Sequence, residues 1–229
     1  MGLVVTTAIW GITFIMVKQA LNDAPPFAFS GLRFLVAAVF SLLFILPRLK
    51  KISRTEITGG FYCGILLYFG YAFQNFGLVI TTASKSAFIT GTNILMVPIF
   101  LLIFRGQKVK LKVWMAILIA TFGLFLLLNP AGGTINKGDL LTFGCAASFG
   151  LHILLQDTYV RSEVHILRFF FIQLVTVSIL SFFSHWLFES QEIIMTTELK
   201  TALIVTGIFA TFVGIGIMVW AQKILDPSE

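Results

Sequence analysis

Eight runs of about 20 residues, each nearly free of charge, set the terms for this chain. They lie at roughly 3–21, 27–46, 57–79, 86–104, 112–129, 138–158, 164–188 and 199–222. An α-helix needs about 20 apolar residues to cross the roughly 30 Å hydrocarbon core of a bilayer. Together the runs take up nearly the whole chain and leave no room for a soluble domain. With 58% hydrophobic residues, 11% charged residues and a mean hydropathy of +0.97, the composition suits a chain dissolved in lipid. A transmembrane β-barrel would alternate apolar and polar residues over about ten positions, and these continuous runs do not. The expected class is an all-α integral membrane protein with eight transmembrane helices and the lipid bilayer as its main partner.

In such a chain the distribution of the +6 net charge says more than its sum, and nucleic acid is not an expected partner. Arg48, Lys50, Lys51 and Arg54 follow the second run, and Arg105, Lys108, Lys110 and Lys112 follow the fourth. With Arg161, Arg168 and Lys223 they give eleven basic residues on one side, against five (Lys18, Arg33, Lys85, Lys137, Lys200) on the other. The positive-inside rule then puts both termini in the cytoplasm of a multi-pass protein in the cytoplasmic membrane. The apolar stretch directly after Met1 and Gly2 lacks a basic leader and a small-residue cleavage site, so it reads as the first span. Cys63 and Cys145 fall inside spans and read as small packing residues.

A faint internal repeat runs through the chain. AIWGITFI (8–15) resembles ASFGLHIL (147–154), setting Trp10 over Phe149 and Gly11 over Gly150; LRF at 32–34 recurs at 167–169, and TAS at 82–84 loosely matches DPS at 226–228. The paired segments start 139, 135 and 144 positions apart, as a second copy with small insertions would. Residues 1–130 then form a first unit of five spans, and residues 131–229 an incomplete second unit of three. An odd number of spans per copy turns the second upside down in the membrane.

These segments carry a family resemblance. With WG at Trp10 and Gly11, LRF opening the second span, and TTASKSAFITGTNILMVPIFLLIF over 81–104, the chain resembles the EamA-like branch of the drug/metabolite transporter superfamily over essentially its whole length. The resemblance implies a ten-helix fold of two inverted five-helix repeats around a central cavity. It also implies carriage of small organic metabolites across the membrane, often outward. On that plan two further helices of the second repeat are expected beyond Glu229.

Helical spacing sorts the polar residues onto faces, because positions i, i+3, i+4 and i+7 share a side. Tyr71, Gln74 and Asn75 form one patch, Ser86, Thr90 and Asn93 another, and Ser148, His152 and Gln156 a third; the first span offers Trp10, Thr13 and Phe14, and the eighth Thr211, Met218 and Gln222. Such groups are costly against lipid, so they are expected to face inward. The expected substrate-binding set is Trp10, Thr13, Phe14, Tyr71, Gln74, Asn75, Thr90, Asn93, Ser148, His152, Gln156 and Thr211. For each of them hydrogen bonding between helices is the plainer role, worth about 0.6 kcal/mol. The second and fifth spans, poor in polar residues, are expected to face lipid. Pro98 is expected to kink the fourth span by freeing the carbonyl of Ile94. Gly60 with Gly64, Gly144 with Ser148, and Ala210 with Gly214 have the small-xxx-small spacing of close helix contacts.

Charged residues within or beside the spans are expected at the interfaces. Lys85 is the one charged residue between Glu56 and Arg105, and its stem can carry the ammonium to water at a hairpin. Lys18, Asp157, Arg33 and Arg168 are expected as interfacial anchors. The HxxxxD spacing of His152 and Asp157 lies inside a span without a glycine-rich partner motif, and neither HExxH nor a GxxxxGK[ST] loop is present. No enzyme activity, metal or cofactor is therefore expected. The reading is a secondary transporter working by alternating access; the alternative is an inactive fragment or a membrane scaffold that needs a partner chain. A coupling ion and a homodimer stay open, with His152 the one intramembrane side chain that ordinarily titrates near neutrality.

Overall fold

The structure, a computed structural model, describes residues 2–128, 135–162 and 164–224; the 130/131 unit boundary and the match at 226–228 lie outside them. The described chain makes eight helical passes: α1 (Gly2–Ala20), α2 (Pro26–Ile45), α3 (Arg54–Ile80), α4 (Ala83–Gly91) with α5 (Asn93–Arg105), α6 (Leu111–Leu128), α7 (Lys137–Val160), α8 (Ile166–Phe188), and α9 (Thr197–Ile204), continued by a π-helical stretch (Val205–Ile215) and α10 (Gly216–Gln222). Six of these passes are long and apolar enough to cross a membrane, and Leu111–Gly123 is a shorter apolar helix. No strand forms among the described residues. The protein is thus a multi-pass, all-helical membrane protein in contact with lipid.

Local signals place the helix ends. Ser53 and Glu56 form a capping box at the start of α3, and Asn136 and Asp139 form another at α7. Each pair satisfies two backbone donors that a helix start leaves open. Thr82 and Thr196 cap α4 and α9. Pro26 opens α2, where a missing N–H is no loss. Glu189 takes the next two donors of α2, from Phe27 at 2.8 Å and Ala28 at 3.1 Å. Gly106 closes α5 with a left-handed φ of 62°, which a side chain would resist.

The most extensive contacts join α3 to α7 and α8, and α2 to α8. Their shared core holds Phe34, Phe169, Phe170, Leu174 and Val177. Small residues permit the approach: a Cβ on Gly60 or Gly64 would lie 2.7 Å from Ile172 or Thr176 of α8. Gly144 is looser, with 3.4 Å to Phe73, while a Cβ on Gly214 would meet the Trp10 indole nitrogen at 2.9 Å. On α6 the side chains of Met115, Leu118, Ile119 and Phe122 are exposed, as a lipid-facing span requires. The other polar-poor span differs from its expectation. Helix α2 is central, because its buried face is built of Ala28, Phe29, Ser30, Gly31 and Ala37, residues that pack tightly without adding to a polar count.

The fourth pass breaks at Thr92, between α4 and α5, while Pro98 lies inside α5. The Thr92 hydroxyl donates to the carbonyl of Ile89 at 2.6 Å. The bend therefore falls about one and a half turns before Pro98. The interfacial charges are partnered. Lys85 pairs with Asp139 at 3.4 Å, and Asp157 with Arg105 at 2.7 Å and Arg161 at 2.6 Å; Arg168 pairs with Glu56 at 2.7 Å. Lys18 donates to the carbonyls of Leu78 and Thr81 at 2.6 and 2.7 Å, the C-terminal end of α3, where a cation is favoured. Lys18 and Lys85 mark the hairpin end of the bundle; Glu56, Arg105 and Asp157 mark the basic end.

Candidate functional site

Between the two ends, α1, α2, α3, the α4/α5 break, α7 and the π/α10 pass enclose a cavity of about 100 Å³. By this measure one water needs about 10–15 Å³, so there is room for a small organic solute. Helix α1 contributes Trp10, Thr13, Phe14 and Val17; α3 contributes Leu67, Tyr71, Gln74 and Leu78; Thr90 and Asn93 come from the two sides of the break. Phe149, His152 and Ile153 come from α7, and Ile215 and Met218 from the last pass. From α2 comes one residue, Arg33.

Arg33 is 3% exposed. Its Nε donates to Thr211 Oγ1 at 2.7 Å and Nη2 to Tyr71 Oη at 3.3 Å. The guanidinium also lies 4.6 Å from the centre of the Tyr71 ring, a cation–π distance. Tyr71 stands edge-on to Phe34 and Phe149, with ring centres 4.9 and 5.3 Å away. The Trp10 indole N–H donates to the Ala210 carbonyl at 2.8 Å, on the π-helical stretch. That helix type is rare and recurs at functional sites. No Asp or Glu is among the lining residues.

The polar lining divides into held and open groups. His152 Nε2 meets Gln173 Oε1 at 2.8 Å, and Gln173 Nε2 donates to Gln156 Oε1 at 3.1 Å. Gln156 Nε2 in turn donates to Gln222 Oε1, and Gln222 Nε2 to the Ile153 carbonyl at 3.3 Å. This chain of buried amides ties α7, α8 and α10 together on the basic side of the cavity. Gln74 donates weakly to Thr90 at 3.4 Å, and Thr13 donates to the Trp10 carbonyl at 2.8 Å. Asn93 lines the cavity, and its amide has no hydrogen bond among the described residues.

Eight of the expected residues thus line one cavity: Trp10, Thr13, Phe14, Tyr71, Gln74, Thr90, Asn93 and His152. The other four stand outside its lining, each for a local reason. Asn75, about 100° around α3 from Gln74, donates to Ser30 at 2.8 Å and to the Pro26 carbonyl at 3.3 Å. Ser148 turns back to the Gly144 carbonyl at 2.9 Å. Gln156, one turn beyond His152, belongs to the amide chain, and Thr211 lies behind Arg33 as its hydrogen-bond acceptor.

Arg33 corrects the expectation of an interfacial anchor. It lies seven residues beyond Pro26, about 10 Å of helix, and that depth in a span was the readable signal for it. Its sequence match Arg168 is only the third residue of α8 and does stay at an end of the bundle.

The comparisons with known proteins agree with this architecture. The model of the EamA-like transporter family matches residues 1–129 and 136–229. An uncharacterized transporter of Archaeoglobus fulgidus is 35% identical over 231 residues, covering 100% of this chain and 71% of its own length. The uncharacterized transporter YoaV of Bacillus subtilis is 25% identical over 158 residues, 66% of this chain and 54% of its own. A protein crystal structure superposes with a TM-score of 0.78, covering 99% of this chain and 79% of that one at 17% identity; the likeness speaks to fold alone.

Proposed function

Because the chain belongs to the EamA-like transporter family, we propose that its central cavity is the substrate site of a secondary carrier that moves small organic metabolites across the cytoplasmic membrane by alternating access. The observation that carries this reading is the make-up of the cavity wall. Trp10 and Phe149, Thr13 and His152, and Phe14 and Ile153 all line it, and the members of each pair are 139 positions apart. Tyr71 and Ile215, and Gln74 and Met218, line it too, at a separation of 144. A cavity walled by matching positions supports two inverted units, residues 1–130 and 131–229, rocking about a shared site. In that reading the chain carries eight helices of a ten-helix plan. Eight of the expected residues contact substrate directly, while Asn75, Ser148, Gln156 and Thr211 hold the wall.

Uptake of a mixed metabolite pool into proteoliposomes tests the reading. His152→Ala and Asn93→Ala should each lower flux roughly 5- to 30-fold, the worth of about 1–2 kcal/mol of lost hydrogen bonding, while the protein still inserts. Parent-like flux in both variants would remove the cavity from the transport path.

The orientation that goes with this proposal has the basic end in the cytoplasm, together with both termini. A cysteine placed near Lys51 or Lys108 should then resist an impermeant thiol reagent in intact cells, and one near Glu192 should react. The native Cys63 and Cys145 are buried and give little background. Reversed labelling would invert the assignment.

A further inference from the structure

Arg33 brings a full positive charge to the cavity, and the described residues supply no acid to meet it. A guanidinium stays protonated in proteins, and a buried charge without a counter-ion is strongly unfavourable. Elsewhere in the bundle Arg105, Arg161, Arg168 and Lys85 each reach a carboxylate. Arg33 has neutral neighbours instead, the hydroxyls of Thr211 and Tyr71 and the Tyr71 ring face. Those two hydroxyls engage two of its five N–H donors, and the other three have no partner among the described residues.

Resting on the transport reading above, we infer that the cavity takes a small organic monocarboxylate, its carboxylate received by Arg33 and its flat apolar body packed against Trp10, Tyr71 and Phe149. The guanidinium fork matches two carboxylate oxygens. One cation balances one negative charge. A phosphate monoester carries about −1.5 to −2 at pH 7, more than Arg33 neutralises, and an amine would need an acid that the lining lacks.

The test measures binding of four matched probes to the purified protein in lipid nanodiscs: benzoate, benzamide, phenyl phosphate and benzylamine. Benzoate should bind on the order of 100-fold more tightly than benzamide, the scale of losing one partner of a buried ion pair. Arg33→Gln should abolish that preference. Arg33→Lys should keep it in weakened form, since a lysine retains the charge without the fork. A merely structural arginine would lower the melting midpoint on substitution and leave the benzoate-to-benzamide ratio unchanged. If neither variant folds, the ratio in the parent protein decides. Equal binding of benzoate and benzamide, preference for benzylamine or phenyl phosphate, or no benzoate binding at all overturns the assignment. Flux of a neutral or cationic solute that survives Arg33→Gln sinks the carboxylate and leaves the transport reading standing. Selective benzoate binding without flux of any solute does the reverse.

Discussion

Replacing Glu56 by alanine should lower stability by about 3–5 kcal/mol, the cost of leaving one half of a buried ion pair alone. The carboxylate is fully buried and serves two helix starts at once. It accepts from the Ser53 N–H at 2.8 Å, within its own capping box, and from the His165 N–H at 2.8 Å at the start of α8. Arg168 completes the site with Nη2 at 2.7 Å and Nε at 3.0 Å. The His165 imidazole is held below the ordinary histidine range by burial and by the Arg168 and Arg48 cations. Removing Glu56 therefore uncaps α3, frees the first turn of α8 and strands Arg168. In detergent the melting midpoint should fall by about 10 °C. The double variant Glu56→Gln/Arg168→Met should recover part of the loss, because it removes the stranded charge. A midpoint within 2 °C of the parent for Glu56→Ala would show that the pair contributes little.

A leucine at position 138 should be damaging on a similar scale. Helices α3 and α7 cross at Gly77 and Gly138 so closely that a Cβ on Gly138 would lie 2.7 Å from the Gly77 carbonyl oxygen and 2.8 Å from the Thr81 nitrogen. Both are backbone atoms and cannot swing aside. The helices would have to separate along the most extensive interface in the fold, at a cost of about 3 kcal/mol or more. Gly138→Leu should accordingly yield little monodisperse protein on size exclusion. Gly11→Leu is the matched control, since nothing lies within 4 Å of the Cβ it would add. Equal recovery of the two variants would refute the contact.

The spans, their ends and most of the cavity could be read from the sequence because each rests on a local rule. Apolar run length is set by the bilayer; the S-x-x-E at Ser53 and the N-x-x-D at Asn136 are capping signals within four residues that the run lengths alone did not use. The i, i+3, i+4 spacing that aligned Trp10, Thr13 and Phe14, all of which line the cavity, is helical geometry. What stayed hidden depends on neighbours. Thr90 and Asn75 look alike as polar residues in a span, yet one faces the cavity and the other clamps α2 to α3, according to which helix lies opposite. The central place of α2 was masked because alanine, serine and glycine make a buried face as readily as a neglected one. Nothing in VTGIFATFVGI (205–215) announces a π-helix. Its added residue per turn is a property of the packing that holds it, including the Trp10 bond to Ala210.

The amide chain on the basic side of the cavity has a consequence for how the protein meets changing media. Gln173, Gln156 and Gln222 link three helices without a formal charge among them, so ionic strength leaves their bonds unaltered. The Lys85–Asp139 pair at the hairpin end is partly exposed and weakens as salt screens it. The amide chain beside the cavity and the ion pair at the hairpin end are thus fastened by different physics. A rise in salinity loosens the ion pair at the hairpin end and leaves the amide fastening on the basic side unchanged.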